Sequence, residues 1–361
     1  MRQGVDPWVL HVDLDEFIAA VEVLRHPELA RTPVVVGGRG DPTERGVVAT
    51  ASYAARELGV RSGMPLRTAV RKAPDATFLP ADHHAYDEAS AAVMATLRGL
   101  EGVVVEVLGW DEAFLGVRTD DPEAVARQAQ EAVMAATRLH CTVGIGDNKV
   151  RAKIATGFGK PRGVYRLTSQ NWFSVMGDRP TIDLWGVGPK ISRRLAEHDL
   201  RTVHELADAP VEVLTAEFGP RMGVWFHELG RGLGPASVDD SPWVARGHGR
   251  ETTFQQNLTT PQQVEDAVRE LAARAFDDTA REGRAVTRVT LKVRYAPFLT
   301  KVHGRKLAAP TSDRDDVVAA ALALTERLET GREVRLLGVH AEMLMPDGAG
   351  RASRTPVRGR I

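Results

Sequence analysis

Through residues 1–165, short apolar runs alternate with stretches of helical period. VLHVDLD (9–15) stays apolar to Val12 and closes on acid, the pattern of a buried strand with a polar end. Residues 16–30 read as helix. TPVVVGG (32–38) and GVVATAS (46–52) are β-branched runs bounded by glycine, hence strands. Residues 53–73 hold two helices parted by a GMP break, and a long helix with apolar Ala91, Val93, Met94 and Leu97 covers 84–99. VVVEVLGWDEAFLGV (103–117) predicts two strands joined by a tight Gly-Trp-Asp-Glu connection; a helix (122–138), the strand LHCTVGIG and a helix (147–158) follow. From 168 to 235 the spacing changes to short helices with glycine turns. DDSPWVARGHGR (239–250) has the Pro, Gly and polar content of a linker. Beyond it the pattern predicts a helix (261–282), strands (285–296, 298–307), a helix (313–330) and a strand (334–344). The fold class is α+β multidomain.

Composition narrows this only in places. With 361 residues, 43% hydrophobic and 26% charged, the chain is expected to be globular with two or three cores. No apolar run reaches the roughly 18–20 residues of a membrane span, and no basic-then-apolar leader is read at the start. The lone Cys141 excludes an internal disulfide and suits a reducing compartment. Net charge is −1, so any basic surface is local. Lysine use is uneven: seven of the eight lysines fall at 149–160, at 190 and at 292–306. A compact ammonium binds phosphate as a point charge and is not interchangeable with guanidinium.

Those stretches and the acids carry the candidate chemistry. Asp13 ends its strand, while Asp111 and Glu112 sit in the 103–117 connection. If the two strands pair, three mutually repelling carboxylates meet at one sheet edge, which suits divalent hard cations with oxygen ligands. Lys149 and Lys153 share a helix face at i, i+4, with Lys160 in the loop beyond; like charges so placed call for an anion. Tyr53 and Arg56 stand one turn apart near a helix start, a candidate phosphate grip. LWGVGPKISRRLAEHDL (184–200) sets Gly186, Gly188 and Lys190 before an amphipathic helix, the helix-hairpin-helix pattern that offers backbone N–H groups to a DNA phosphate. VTRVTLKVRY (286–295) alternates so that Arg288, Lys292 and Arg294 share a face, inside a stretch (284–306) with seven basic residues and no acid. Each signal alone also fits an ordinary role, as a cap or a solvated face.

Together, HVDLDEFIAAVE, SYAARELGVRSGMP, LGWDEAFL, GIGDNKVRAKIATGFGKPRG and WGVGPK, followed by a basic module ending RLLGV, resemble the Y-family translesion DNA polymerases of the DNA polymerase IV branch, over residues 8–345. The resemblance implies a palm-type antiparallel sheet with helices (1–15 and 81–167) and α-helical fingers (16–80). It also implies a thumb with the helix-hairpin-helix (168–238), a linker (239–247), a separate βαβ-rich little finger (248–345) and a disordered basic tail (346–361). It implies template-directed nucleotidyl transfer without proofreading, with two Mg²⁺ or Mn²⁺ ions per site, primer-template DNA and dNTP as partners, a monomer, and a cytoplasmic, nucleoid-associated setting. Asp13, Asp111 and Glu112, with the Leu14 carbonyl, would be the metal ligands. Thr50, Tyr53, Arg56 and Lys160 would contact the triphosphate, and Asp15 would stand beside the site without ligating.

Two positions depart from the family pattern. The usual Ser-hydrophobic-Asp-Glu is here Gly109-Trp110-Asp111-Glu112. Ile18, after Phe17, stands where the family has an aromatic steric gate under the sugar, so ribonucleotide incorporation is expected, with rNTP as a further substrate. The tail has no Gln-leading apolar-aromatic motif for a sliding clamp; Arg351, Arg354, Arg358 and Arg360 would add non-specific DNA affinity. A nucleotide cyclase-like palm enzyme and a catalytically silent DNA-binding protein are the rival readings.

Overall fold

The computed structural model describes residues 7–346, so the tail arginines lie outside the described residues. Two compact units result: residues 7–41 with 47–241, and 42–46 with 242–346.

The first unit begins β1 (Pro7–Leu14), α1 (Phe17–Arg25), β2 (Val34–Val36), β3 (Thr50–Ala51), α2 (Tyr53–Glu57), α3 (Leu66–Lys72), β4 (Thr77–Leu79) and α4 (His83–Arg98). It continues with β5 (Val104–Val107), β6 (Glu112–Arg118), α5 (Pro122–Thr137), β7 (Cys141–Gly146), α6 (Lys149–Gly159) and β8 (Val164–Leu167). A helical segment closes it: α7 (Trp172–Met176), α8 (Pro189–Ala196), α9 (Val203–Asp208), α10 (Val211–Phe218) and α11 (Pro220–Gly230).

Its centre is a five-stranded sheet in the order β5-β6-β1-β7-β8, antiparallel except for the parallel β7–β8 pair. Strand alternation sorts β1. Leu10, Val12 and Leu14 join the core with Val93 and Leu97 of α4 and Ala126, Ala129 and Val133 of α5. Val9 packs on the other side with Phe114 and Ala152 of α6, so His11 and Asp13 share the α6 face. Glycine lets α6 come this close: a Cβ at Gly146 would lie 2.5 Å from the Ala152 nitrogen, and one at Gly144 would run into the Ala152 carbonyl oxygen.

Residues 34–79 form a second, three-stranded sheet (β3-β2-β4) covered by Ala55, Leu66 and Ala69. The segment expected as helical fingers therefore carries a sheet as well. The 168–238 helices share a core of Trp172, Leu184, Val187, Leu195, Leu206 and Phe226.

The second unit comprises β9 (Gly247–Leu258), α12 (Pro261–Ala280), β10 (Val286–Tyr295), β11 (Thr300–Thr311), α13 (Arg314–Leu322) and β12 (Val334–Met343). Its sheet runs β11-β10-β12-β9, all antiparallel, with both helices on the face of Val289, Leu291, Val293 and Tyr295.

Three expectations needed correction. The helix read over 16–30 ends at Arg25, where Pro27 begins a 3-10 turn (Pro27–Arg31). The helix read over 313–330 stops at Leu322. The end of the expected linker starts β9, an edge strand of twelve residues whose order comes from pairing with β12 and not from any apolar alternation of its own. Strands β4 and β8 were also invisible as patterns.

Candidate active site

The β1–β6 register sets Asp13 opposite Glu112, and the Leu14 nitrogen donates to the Asp111 carbonyl at 2.8 Å. The tight connection that carries Asp111 and Glu112 thus lands against the acidic end of β1. Trp110 holds it from outside: its indole N–H donates to Asp87 at 2.7 Å and its ring packs at 5.4 Å on His83 and 6.2 Å on Tyr86, all from α4. Among the described residues, His11, Asp13 and Glu112 form a group whose ligand-capable atoms lie within 4.8 Å of one another.

The electrostatics of the three acids differ sharply. Burial, then the charges of Asp13 and Glu112, push Asp111 up to about 6. Burial acts to raise Glu112 too, but the His11 side chain and the Lys153 ammonium overcome it and hold the group at about 2. His11 is fully buried, which lowers its pKa and keeps it neutral. Its Nε2 lies 3.2 Å from Glu112 Oε2 and its Nδ1 2.8 Å from the Thr156 hydroxyl. Nε2 also lies 3.2 Å from the Lys153 ammonium, so it stands between an acceptor and a donor, and either neutral tautomer finds a partner at both ring nitrogens. Lys153 pairs with Glu112 and stands 3.9 Å from Asp13; Lys160 pairs with Asp13. Lys149, by contrast, binds Glu106 and lies over the Phe114 ring at 5.4 Å.

Around this cluster the other candidates fall into place unevenly. Phe17 and Ile18 open α1 directly beyond Asp15, 3% and 7% exposed. Arg56 donates from Nε to the Ala51 carbonyl at 2.8 Å and lies over the Tyr53 ring at 5.2 Å, while Thr50 begins β3 nearby. Tyr53 does not point freely outward: its hydroxyl donates to Asp15 at 2.6 Å, and burial followed by that bond raises its pKa. Sequence reasoning passed over His11, Thr142 and Thr156. Only His11 had a signal, since strand alternation puts it on the face of Asp13.

Gly186 (φ 90°) is exposed between buried Leu184 and Val187, and Gly188 is the N-cap of α8, with Lys190 in its first turn and exposed. In the second unit, Arg288, Lys292 and Arg294 line the sheet face opposite the helices. That face is less uniformly basic than the strand alone suggested: Lys292 pairs with Glu251 of β9 at 2.5 Å, and Glu342 of β12 is in register with Arg288.

Comparison with known proteins gives the family of the chain. Residues 12–157 match the model of the impB/mucB/samB family, 245–353 that of its C-terminal domain, and 182–234 a DNA polymerase-iota thumb domain. The "DNA polymerase IV 2" of Mycobacterium tuberculosis is 51% identical over 347 residues, 95% of this chain and 100% of the relative. The DNA polymerase IV of Methanoculleus marisnigri is 36% identical over 343 residues, 93% and 94% of the two chains. A solved Y-family DNA polymerase chimera, Dbh-Dpo4(243-245)-Dbh, superposes with a TM-score of 0.84 at 24% identity, covering 94% of this chain and all of its own. DinB from Sulfolobus solfataricus gives 0.60 at 25% identity, over 93% of this chain and 99% of that one. The chain belongs to the Y-family DNA polymerases, in the DNA polymerase IV group.

Proposed function

We propose that this enzyme extends a primer 3′-hydroxyl against a DNA template at the cluster of Asp13, Asp111 and Glu112, in error-prone, translesion fashion. The observation that carries the proposal is the convergence of two acids from one connection on a third from β1, with Asp111 held near 6 by burial and then by its neighbours' charge. Such a set of hard oxygen donors with unmatched negative charge fits divalent cations. Asp13, Asp111, Glu112 and the Leu14 carbonyl would hold two Mg²⁺ or Mn²⁺ ions, which when bound act as Lewis acids on the attacking hydroxyl and the leaving phosphate. Lys160, Arg56, Tyr53 and Thr50 would bind the triphosphate. The α8 N-terminus and the Arg288, Lys292 and Arg294 face would take up DNA phosphates. The α8 N-terminus and the basic β10 face would grip a duplex, which a cyclase does not need, and this separates the reading from a cyclase. Primer extension with Asp111→Ala tests it: extension by the wild type and a loss of at least a thousandfold in the variant are expected. A wild type that consumes NTP without a primer, or binds DNA without extending it, would refute the proposal.

The finer proposal concerns the sugar. Ile18 lies in the first turn of α1, buried against the palm core, and carries no ring to obstruct a 2′-hydroxyl. An apolar pocket alone discriminates against an added hydroxyl by only about 10²-fold. The wild type is therefore expected to insert rNTPs within about 10²-fold of dNTPs, and Ile18→Phe to widen that ratio by tenfold or more. Parallel single-nucleotide insertion kinetics decide it; a wild-type preference above a thousandfold would end the idea.

A further inference from the structure

Asp15 is a carboxylate that the catalytic scheme leaves without a task. It is 3% exposed, one residue past β1, with its nitrogen bonded to the His140 carbonyl at 2.9 Å. Its side chain collects donors from three separate segments. The Tyr53 hydroxyl of α2 reaches Oδ1 at 2.6 Å, and the Thr142 hydroxyl of β7 reaches Oδ1 at 2.9 Å and Oδ2 at 3.1 Å. The Arg162 backbone N–H, in the turn after α6, reaches Oδ2 at 2.9 Å. The Lys160 ammonium lies 3.9 Å away. Both oxygens are thus occupied by protein donors, which sets Asp15 apart from Asp13 two residues earlier.

The turn it holds is not one the chain would adopt unaided. Arg162 sits at φ 61°, the left-handed region disfavoured for a residue with a Cβ, and its N–H is shared between Asp15 and the Thr142 hydroxyl. Lys160 stands two residues upstream, so fixing Arg162 fixes the place from which the ammonium reaches. On the other oxygen, Tyr53 is fixed at the start of α2.

We propose that Asp15 is a positioning residue that sets the triphosphate grip, holding Tyr53 and the Lys160–Arg162 turn in one arrangement across palm and fingers. The inference rests on the reading of Tyr53 and Lys160 as nucleotide contacts. It carries a consequence: the phenol has one proton, so Tyr53 cannot donate to Asp15 and to a phosphate oxygen together. An incoming triphosphate must replace Asp15 as the acceptor of that bond.

The test is single-nucleotide insertion by the full chain, comparing wild type, Asp15→Asn, Tyr53→Phe, the double variant and Thr142→Val. Asn keeps one acceptor oxygen and turns an amide toward donors. Asp15→Asn is expected to raise the nucleotide KM about tenfold while kcat falls less than threefold, the signature of lost binding. The double variant should fall short of the product of the two single effects, because the Tyr53–Asp15 bond is common to both, while the part of Asp15 that acts through Arg162 adds. Primer-template affinity, read by fluorescence anisotropy, should stay unchanged. Thr142→Val, which removes one donor, should raise KM about threefold, and it carries the test if Asp15→Asn fails to fold. The proposal is overturned if Asp15→Asn leaves KM within twofold, if it lowers kcat a hundredfold as loss of a metal ligand would, or if its effect adds fully to that of Tyr53→Phe. An inactive wild type would instead sink the polymerase reading itself.

Discussion

Asp111 and Glu112 are neighbours in sequence, yet substituting each by its amide should move stability in opposite directions. Asp111 titrates at about 6 in the folded protein against 3.8 for the free side chain. At about 1.4 kcal/mol per pH unit, the folded state carries a penalty of ~3 kcal/mol at neutral pH. The sign follows from proton binding. The native state keeps this proton longer than the unfolded state does, so stability falls as pH rises from about 4 to about 6 and stays low above. Asp111→Asn removes the penalty, and in EDTA at pH 8 it should stabilise the protein by roughly 1–3 kcal/mol, fading to nothing near pH 4. Glu112 is held at about 2, below the usual 4.5. Its contribution is present above pH 4.5 and lost as pH falls toward 2, so Glu112→Gln should destabilise at pH 8 by a similar amount and leave Lys153 without its partner. The assay is urea unfolding of the chelated protein at pH 4, 5, 6 and 8, followed by far-UV circular dichroism. Asp111→Asn should also abolish extension, so the more stable protein is the inactive one. If Asp111→Asn proves no more stable than wild type at pH 8, the acid cluster is not electrostatically strained and the case for a cation there weakens.

Two further outcomes follow from geometry away from the acids. Gly144→Ala drives a Cβ into the Ala152 carbonyl of α6 and should destabilise by about 2–4 kcal/mol in urea or thermal melts, with Gly157→Ala on the exposed side of α6, where a Cβ meets nothing within 4 Å, losing far less. Arg288 lies exposed on the open face of the second unit's sheet, so Arg288→Gln should weaken binding to any primer-template equally and reduce the log–log salt slope by about 1. A sequence-dependent effect would contradict a phosphate contact.

How much of this was legible depends on where each interaction lies along the chain. The palm strands and the long helices announced themselves through apolar period, and the three acids stood out because strand ends and a tight connection are where alternation breaks. Residues whose meaning comes from pairing did not show. Strand β9 has an open, polar pattern and exists because β12 offers it a ladder. Trp110 looked like an odd flank to the acids until Asp87, 23 positions earlier, proved to be its acceptor. The Asp15 hub joins segments 38, 127 and 147 positions apart, and no local spacing encodes that. Basic alternation on β10 was real, but its acid partners lie on β12 beside it and on β9 beyond, which the pattern of one strand cannot name.

Two of the clustered lysines, Lys153 and Lys160, find their physical reason at the same place. Asp13, Asp15, Asp111 and Glu112 bring four carboxylates to one end of β1, and Lys153 and Lys160 return two positive charges. An arginine would spread its charge over a rigid fork, whereas an ammonium on a flexible stem can lie between oxygens and later turn toward a phosphate. Burial first, and then the charge the two lysines leave unmatched, lift Asp111, which has no ion pair among the described residues, to about 6. A silent DNA-binding protein gains nothing from that imbalance, which costs stability and faces inward. In the proposed reading, a cation from solution, arriving with a polyanionic substrate, would turn the same charges from a liability into a binding site.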